Sequence, residues 1–377
     1  MPDLLLSQGS FYLIFLVIFV LLLFLQFLYF GFIFLRLVRF HGPNSESRVK
    51  GVSVVICARN EYFQLKENLP LILEQDYPDF EVVVVNHASE DDTAFLLSQM
   101  GEKYPRLKIV EIRENLNFFD GKKFPLSIGI KSASHDLVLL TDADCRPVCP
   151  EWITRMVQGF APNKDIVLGY GGYIRSPGLL NRLIRYDTIH IALQYLSYAL
   201  AGIPYMGVGR NMAYRKSLFY QNNGFISHYN LHSGDDDLFI NQAATRRNTS
   251  IVISPESFTL SQPKTTFRQW WMQKKRHLST ASYYRWNHKL LLGTYSLSTF
   301  LFYAFLAVLL AFGYNIWYVL ALVFLRLAGQ LFIFRKILTR FNEKGIWLFV
   351  PVFEFMMIFL NIALSVSMIT SKETRWK

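Results

Sequence analysis

The chain has 377 residues, 52% of them hydrophobic and 16% aromatic, including 33 Phe. That is too apolar for an ordinary soluble domain of this length and points to a membrane protein. The net charge of +11 then reads as cytoplasmic loops and contact with anionic headgroups. Nucleic acid is excluded as a partner, because the chain carries no nucleic-acid motif and no basic helix.

Residues 11–35 carry no charge. About 20 apolar residues cross a bilayer core, so this stretch predicts a transmembrane helix within residues 1–38. It is too long for a removed signal peptide and lacks a small-residue cleavage site. Asp3 precedes it, and Arg36, Arg39, Arg48 and Lys50 follow it. The excess of positive charge on one side predicts an outer N-terminus and a cytoplasmic domain next.

Residues 50–288 read as that domain. Short apolar runs at 52–57, 80–85, 107–112 and 137–140 predict strands, with helical stretches between them at 91–103 and 124–133. Alternation of this kind implies an α/β fold around a mainly parallel sheet, with ligands at the carboxyl ends of the strands. Arg59-Asn60-Glu61, Asn86-His87 and Asp142/Asp144 fall at such ends. Two amphipathic stretches, 179–201 and 267–286, mix aromatic and basic residues and predict helices in the headgroup layer.

Residues 289–371 are apolar again, with candidate spans at 290–312, 316–334 and 346–369. Arg335, Lys336, Arg340 and Lys344 separate the last two, consistent with a cytoplasmic loop. The tail residues Lys372, Arg375 and Lys377 then fall on the outer side, against the same rule. Arg326 and Glu354 sit inside the spans at similar depth, roughly 12–13 Å from the cytoplasmic edge at ~1.5 Å per residue. An unpaired charge there is costly, so the two are predicted to pair.

Three polar signatures occur in order between the apolar ends: Asp142-Ala-Asp144, Asp235-Asp236-Asp237 and Gln273-Lys-Lys-Arg276. Residues i and i+2 of an extended chain point the same way, so Asp142 and Asp144 can face one cation. Carboxylate oxygens suit Mg²⁺ or Mn²⁺, which bridge protein and phosphate. A later carboxylate for a base and a cationic cluster for phosphate complete the parts of a sugar-nucleotide transferase. The cysteines Cys57, Cys145 and Cys149 are odd in number, lack metal spacing and fit a reducing compartment.

Four segments carry a resemblance: 52–61 (VSVVICARNE), 141–144 (TDAD), 233–238 (SGDDDL) and 273–277 (QKKRH). In this order they resemble the signatures of membrane-bound family 2 glycosyltransferases, which include ceramide glucosyltransferases, cellulose synthases and hyaluronan synthases. The resemblance covers roughly residues 50–290 and implies a GT-A fold with one transmembrane helix before it and about three after. It implies that Asp142 contacts the ribose or diphosphate and that Asp144, with Asp142, holds the divalent metal. Asp235 corresponds to the general base that takes the acceptor hydroxyl proton. Gln273 and Arg276 correspond to the grip on the leaving diphosphate. Arg59, Asn60, Glu61 and Lys122 fall on the donor side, as does Asn86. Gly209, Asn211, Asp236 and His277 fall on the acceptor side.

Three departures stand out. Asn86-His87 replaces a pair of aspartates, one of which holds uracil, so UDP is favoured but GDP stays open. Gly234 replaces a Glu before the base. His277 replaces a Trp that stacks under the acceptor sugar in processive enzymes. The implied activity is single-sugar transfer from a nucleotide sugar to a lipid or lipid-linked acceptor, at the cytoplasmic face of the cell (inner) membrane. The alternatives are a processive polysaccharide synthase and a non-catalytic membrane partner on a degenerate transferase fold.

Overall fold

The computed structural model describes residues 2–42, 50–113, 121–313 and 315–370. Arg48, Asp120 and the basic tail residues Lys372, Arg375 and Lys377 lie outside them. Four strands form the parallel half of the main sheet: β1 (Val52–Ala58), β2 (Phe80–His87), β3 (Leu107–Ile112) and β4 (Leu137–Leu140). They lie side by side as β3-β2-β1-β4, with Val54 opposite Val82 on one side and Leu139 on the other. All seven β1 residues are buried, which explains its unbroken apolar run in place of an alternating one. The helices Tyr62–Leu73, Thr93–Lys103 and Lys123–Ser132 connect these strands. These elements agree with the sequence expectation to within a few residues.

The remaining strands are β5 (Cys145–Pro147), β6 (Ile166–Leu168), β7 (Gly171–Tyr173), β8 (Met212–Arg215), β9 (Thr249–Ile251) and β10 (Thr259–Ser261). None exceeds four residues, too few to show a period in the sequence. β8 runs antiparallel between β4 and β6, and β9 closes the seven-stranded sheet beside β6. β5, β10 and β7 form a separate small sheet next to the end of β4.

Among the described residues, four helices are long and apolar enough to cross a membrane: Tyr12–Arg39, Trp286–Phe312, Ile316–Arg340 and Trp347–Met368. The first contains a π-helical segment, Tyr29–Phe34. Arg326 and Glu354 pair as expected, at 2.7 and 2.8 Å. Gln26 and Gln330 accept from Arg326, and Tyr303 donates to Glu354 at 2.8 Å. Segments from all four helices thus close one polar knot. A low-dielectric interior makes each of those partners matter.

The two amphipathic stretches depart from the expectation of surface helices. Leu179–Leu200 is a single helix, but Arg185, Asp187 and eleven other residues are buried on it. It packs against the membrane helices on one side and β7 and β9 on the other. Arg185 donates to Glu343 from the loop after Ile316–Arg340, and the Tyr170 ring stacks on Phe341 at 4.2 Å. The second stretch is broken into the helix Phe267–Leu278 and the short turn Ala281–Tyr283. Trp270, Lys274 and Lys275 on it are buried. Their charges meet protein partners: Lys274 pairs with Asp187 at 2.8 Å, and Lys275 donates to the Ser367 carbonyl at 2.9 Å. A polar pattern reads as surface from sequence alone, but buried counter-charges make the same pattern an interior one.

Candidate active site

The carboxyl ends of β1 and β4 face a cleft roofed by the helix Phe267–Leu278 and floored by Leu179–Leu200, with a volume of about 1240 Å³. Directly after β4, Cys145 N–H donates to the Asp142 carbonyl at 3.0 Å and closes a tight turn. This turn, and not an extended pleat, brings Asp142 and Asp144 together. With Cys145 their donor atoms lie within 4.8 Å of one another.

Lys122 projects between two acids. It hydrogen-bonds Asp142 and lies 3.8 Å from Asp235. Burial opposes charge on Asp142, but the Lys122 ammonium outweighs it and holds that carboxyl below the usual range. Burial likewise works against the Lys122 charge, and Asp142 and Asp235 overcome it. On Asp144, burial and then Asp142 outweigh the more weakly acting cations Arg210 and Lys264 and hold it above the usual carboxylate range. Glu61 at the end of β1 is pushed up to about 7 by burial and then by Asp144 and Asp142.

This crowding bears on the expected metal. A hard cation between Asp142 and Asp144 would remove their repulsion, and their oxygens match Mg²⁺ or Mn²⁺. Cys145 does not belong to that donor set. Burial and then Asp144 push its thiol well above its ordinary range, and its sulfur lies 2.9 Å from Ser261 Oγ. The residues present fit a divalent metal held by two carboxylates.

The acidic run divides by role. Asp237 accepts from Tyr284 at 2.7 Å, from Thr280 and from Leu238 N–H. Asp236 caps the helix Asp237–Ala243 and accepts from Gly209 N–H at 2.8 Å. Burial, then Asp235 and Asp237, push Asp236 up to about 7. Asp235 has only the Lys122 contact among the described residues and faces the cleft. The preceding Gly234 has φ +103°, a left-handed conformation that glycine adopts readily.

The helix Phe267–Leu278 brings Gln273, Arg276 and His277 to the cleft, and Gln273 donates to Tyr173 at 3.1 Å. His277 is exposed beside the cations Arg276 and Arg210, is held below the ordinary imidazole range and is neutral at physiological pH. Arg210 was missed in the sequence. It lines the cleft with its guanidinium 4.5 Å from the centre of the Tyr173 ring. It lies between Gly209 and Asn211, and an arginine in that glycine-rich segment was the available signal.

Other expected residues fall elsewhere. Arg59, Glu61 and Gly209 line the cleft, whereas Asn60, Asn86 and Asn211 do not. Asn60 has φ +57°, and its side-chain oxygen accepts from Glu90 N–H. Asn86 bonds Glu111 and Ser89. Asn211 is fully buried, accepting from Trp152 and donating to the Tyr170 and Ser257 carbonyls. Its amide holds the wall together and is not presented to an acceptor, a correction to the expectation for this residue.

The architecture as a whole places the chain in a class before any closer assignment. Its fold is similar to that of the mannosyltransferase PcManGT from Pyrobaculum calidifontis, solved in complex with GDP-Man and Mn²⁺. The TM-score is 0.59 at 20% identity, covering 97% of this chain and 100% of that one. The class is a GT-A transferase fold carried by helices apolar enough to span a membrane. Residues 50–280 match glycosyltransferase like family 2, and the chain belongs to that family. Among curated relatives, the probable glycosyltransferase YdaM of Bacillus subtilis is 28% identical over 237 residues, 60% of this chain and 54% of that protein. An uncharacterized glycosyltransferase of Haemophilus influenzae is 31% identical over 123 residues, 33% of this chain and 36% of that one. The poly-beta-1,6-N-acetyl-D-glucosamine synthase of Staphylococcus epidermidis is 30% identical over 101 residues, 27% of this chain and 23% of that one. The chain spans about half the length of YdaM and less of the other two.

Proposed function

We propose that this protein is an inverting, metal-dependent glycosyltransferase. It moves one sugar from a nucleotide-diphospho-sugar to a lipid or lipid-linked acceptor at the cytoplasmic face of the inner membrane. The observation that carries the reading is the division of the three consecutive acids. Asp236 and Asp237 are committed to backbone and side-chain donors, and Asp235 alone keeps a carboxylate for chemistry.

Asp235 accepts the proton of the acceptor hydroxyl as that oxygen attacks the anomeric carbon. The bond to the nucleoside diphosphate breaks in the same displacement, so the configuration inverts and no covalent enzyme intermediate forms. Arg276 faces the developing charge on the leaving diphosphate, and Gln273 is steadied beside it by Tyr173. Neutral His277 leaves that charge to Arg276. Asp142 and Asp144 would hold Mg²⁺ or Mn²⁺, which when bound neutralises diphosphate oxygens. Lys122 holds Asp142 ionised for that task. The complex of PcManGT with GDP-Man and Mn²⁺, on the same fold, supports a nucleotide-sugar donor and a divalent metal. UDP is favoured on the resemblance of the motifs, and GDP is the alternative that Asn86-His87 leaves open.

A processive synthase is the second reading, favoured by the relative named poly-beta-1,6-N-acetyl-D-glucosamine synthase. Product length separates the two. The test of the main reading is nucleotide release by the purified full chain with native lipid extract, Mn²⁺ or Mg²⁺ and a series of UDP- and GDP-sugars. Metal-dependent release of one nucleotide, lost in Asp235→Asn, is the expected result. No release from any donor by correctly folded protein would sink it in favour of a degenerate partner.

A further inference from the structure

The cleft is larger than a donor and one sugar require. Its volume of about 1240 Å³ exceeds the roughly 300–1,000 Å³ of ordinary small-ligand pockets. It also does not stop at the polar residues. Its lining continues past Asp187 along Ile191 and Gln194 of the helix Leu179–Leu200, and onto Leu292, Gly293 and Ser296 of the helix Trp286–Phe312. At ~1.5 Å per residue, Gly293 and Ser296 lie about 10 and 15 Å into that membrane helix.

Gly293 and Ser296 line the cavity and are exposed. Leu297 and Phe300, four and seven residues after Gly293, lie on the same face of the helix and are exposed too, so the cavity lining runs on into the outward face of this helix. That face meets the region the bilayer would fill, since Leu297 and Phe300 are large and apolar. Gly293 itself has no packing reason to be glycine. A Cβ placed there meets no atom within 4 Å, and its φ is not left-handed. Mid-helix glycine is destabilising relative to alanine. Close helix packing does not account for it, but an unobstructed gap does.

We propose that the cleft opens sideways into the bilayer between the helices Leu179–Leu200 and Trp286–Phe312, and that this opening seats the aliphatic chain of a lipid acceptor. Its wall changes in the way such a molecule demands. Charged residues surround Asp235, where the head group reacts. Ile191, Leu292 and Gly293 line the outer end, where a chain must leave water without leaving the membrane. The lipid thus reaches Asp235 from within its own leaflet and never crosses solvent. Gly293 acts as the notch that admits the chain. This inference rests on the transferase reading above and adds the route by which the lipid acceptor enters.

The test uses the purified full chain, radiolabelled donor sugar and native lipid extract. Label transferred to organic-soluble product is measured beside nucleotide-binding affinity. Gly293→Trp and Ser296→Trp fill the opening, whereas Phe324→Trp enlarges an exposed apolar position on another helix, Ile316–Arg340, outside the cavity lining. Gly293→Trp and Ser296→Trp are each expected to lose at least tenfold in transfer with nucleotide affinity within twofold of wild type. Phe324→Trp is expected to keep its transfer. Normal transfer by both blocking variants, or equal loss in all three, overturns the opening and leaves the transferase reading intact. A wild-type protein that labels only water-soluble polymer overturns the lipid acceptor itself and returns the processive reading.

Discussion

The protein holds two clusters of buried charge that follow opposite rules. Among the membrane helices, Arg326 and Glu354 neutralise each other, and each of their charged atoms meets a partner from Gln26, Gln330, Tyr303 or the opposing charge. In the cleft, Glu61, Asp142, Asp144, Asp235 and Asp236 converge on one another, and Lys122 reaches only two of them. The first cluster is closed and needs nothing from outside. The second is not closed: burial first, and then neighbouring carboxylates, keep Glu61, Asp144 and Asp236 above their ordinary range, while Arg59, Arg210 and Arg276 line the same cleft. Closed charge marks a structural joint, and carboxylates crowded out of their ordinary range in a cavity mark a place prepared for a ligand.

The contrast is broken most sharply by removing one carboxylate from each cluster. Asp235→Asn should lower sugar transfer by about 10²–10⁴-fold, the usual contribution of a general base. Nucleotide binding and thermal stability should stay near wild type, as checked by release kinetics and unfolding in detergent. Full activity would reassign the base. Glu354→Leu should instead destabilise by about 3–5 kcal/mol, because Arg326 is left buried without its anion. Adding Arg326→Leu should recover most of that loss, and a double variant no better than the single would show the pair is not closed in the sense described.

A pH series sharpens the comparison. Asp236 titrates near 7 in the fold against an ordinary 3.8, so the folded state holds a proton that the unfolded state has released between those values. This contribution to stability therefore falls as pH rises from about 4 to about 7 and levels off above; His277, held below its ordinary 6.5, acts in the opposite sense, so the Asp236 part is read as the difference between wild type and Asp236→Asn. Thermal unfolding in the presence of a chelator should show the slope, and Asp236→Asn should reduce it. An unchanged slope would assign it to Glu61 or Asp144. The smallest effect belongs to the closed cluster. Tyr303→Phe removes one hydrogen bond to Glu354 and should cost about 1 kcal/mol in the same assay, with no change in transfer.

Legibility in the sequence tracks how local the determining physics is. The parallel strands announced themselves because burial on both faces writes continuous valine-rich runs. The Arg326–Glu354 contact was readable because helix rise converts residue number into depth. Residues whose partners are distant and short-ranged were not. Asn211 looks like a ligand-facing polar residue until Trp152 and Ser257 are placed beside it. Lys274 looks like a headgroup-facing cation until Asp187, 87 residues away, neutralises it. The small sheet of β5, β7 and β10 escaped because three residues carry no periodicity. The Asp142–Asp144 pair was identified, but the turn that joins its carboxylates was read as a pleat.

One tether makes the cleft answerable to a distant helix. Lys275, on the helix that carries Gln273 and Arg276, is held by the carbonyl of Ser367 on the apolar helix Trp347–Met368. A tilt or slide of that helix is therefore transmitted to the element that carries Arg276. The thickness of the surrounding bilayer, which sets such tilts, becomes a variable of the site's geometry.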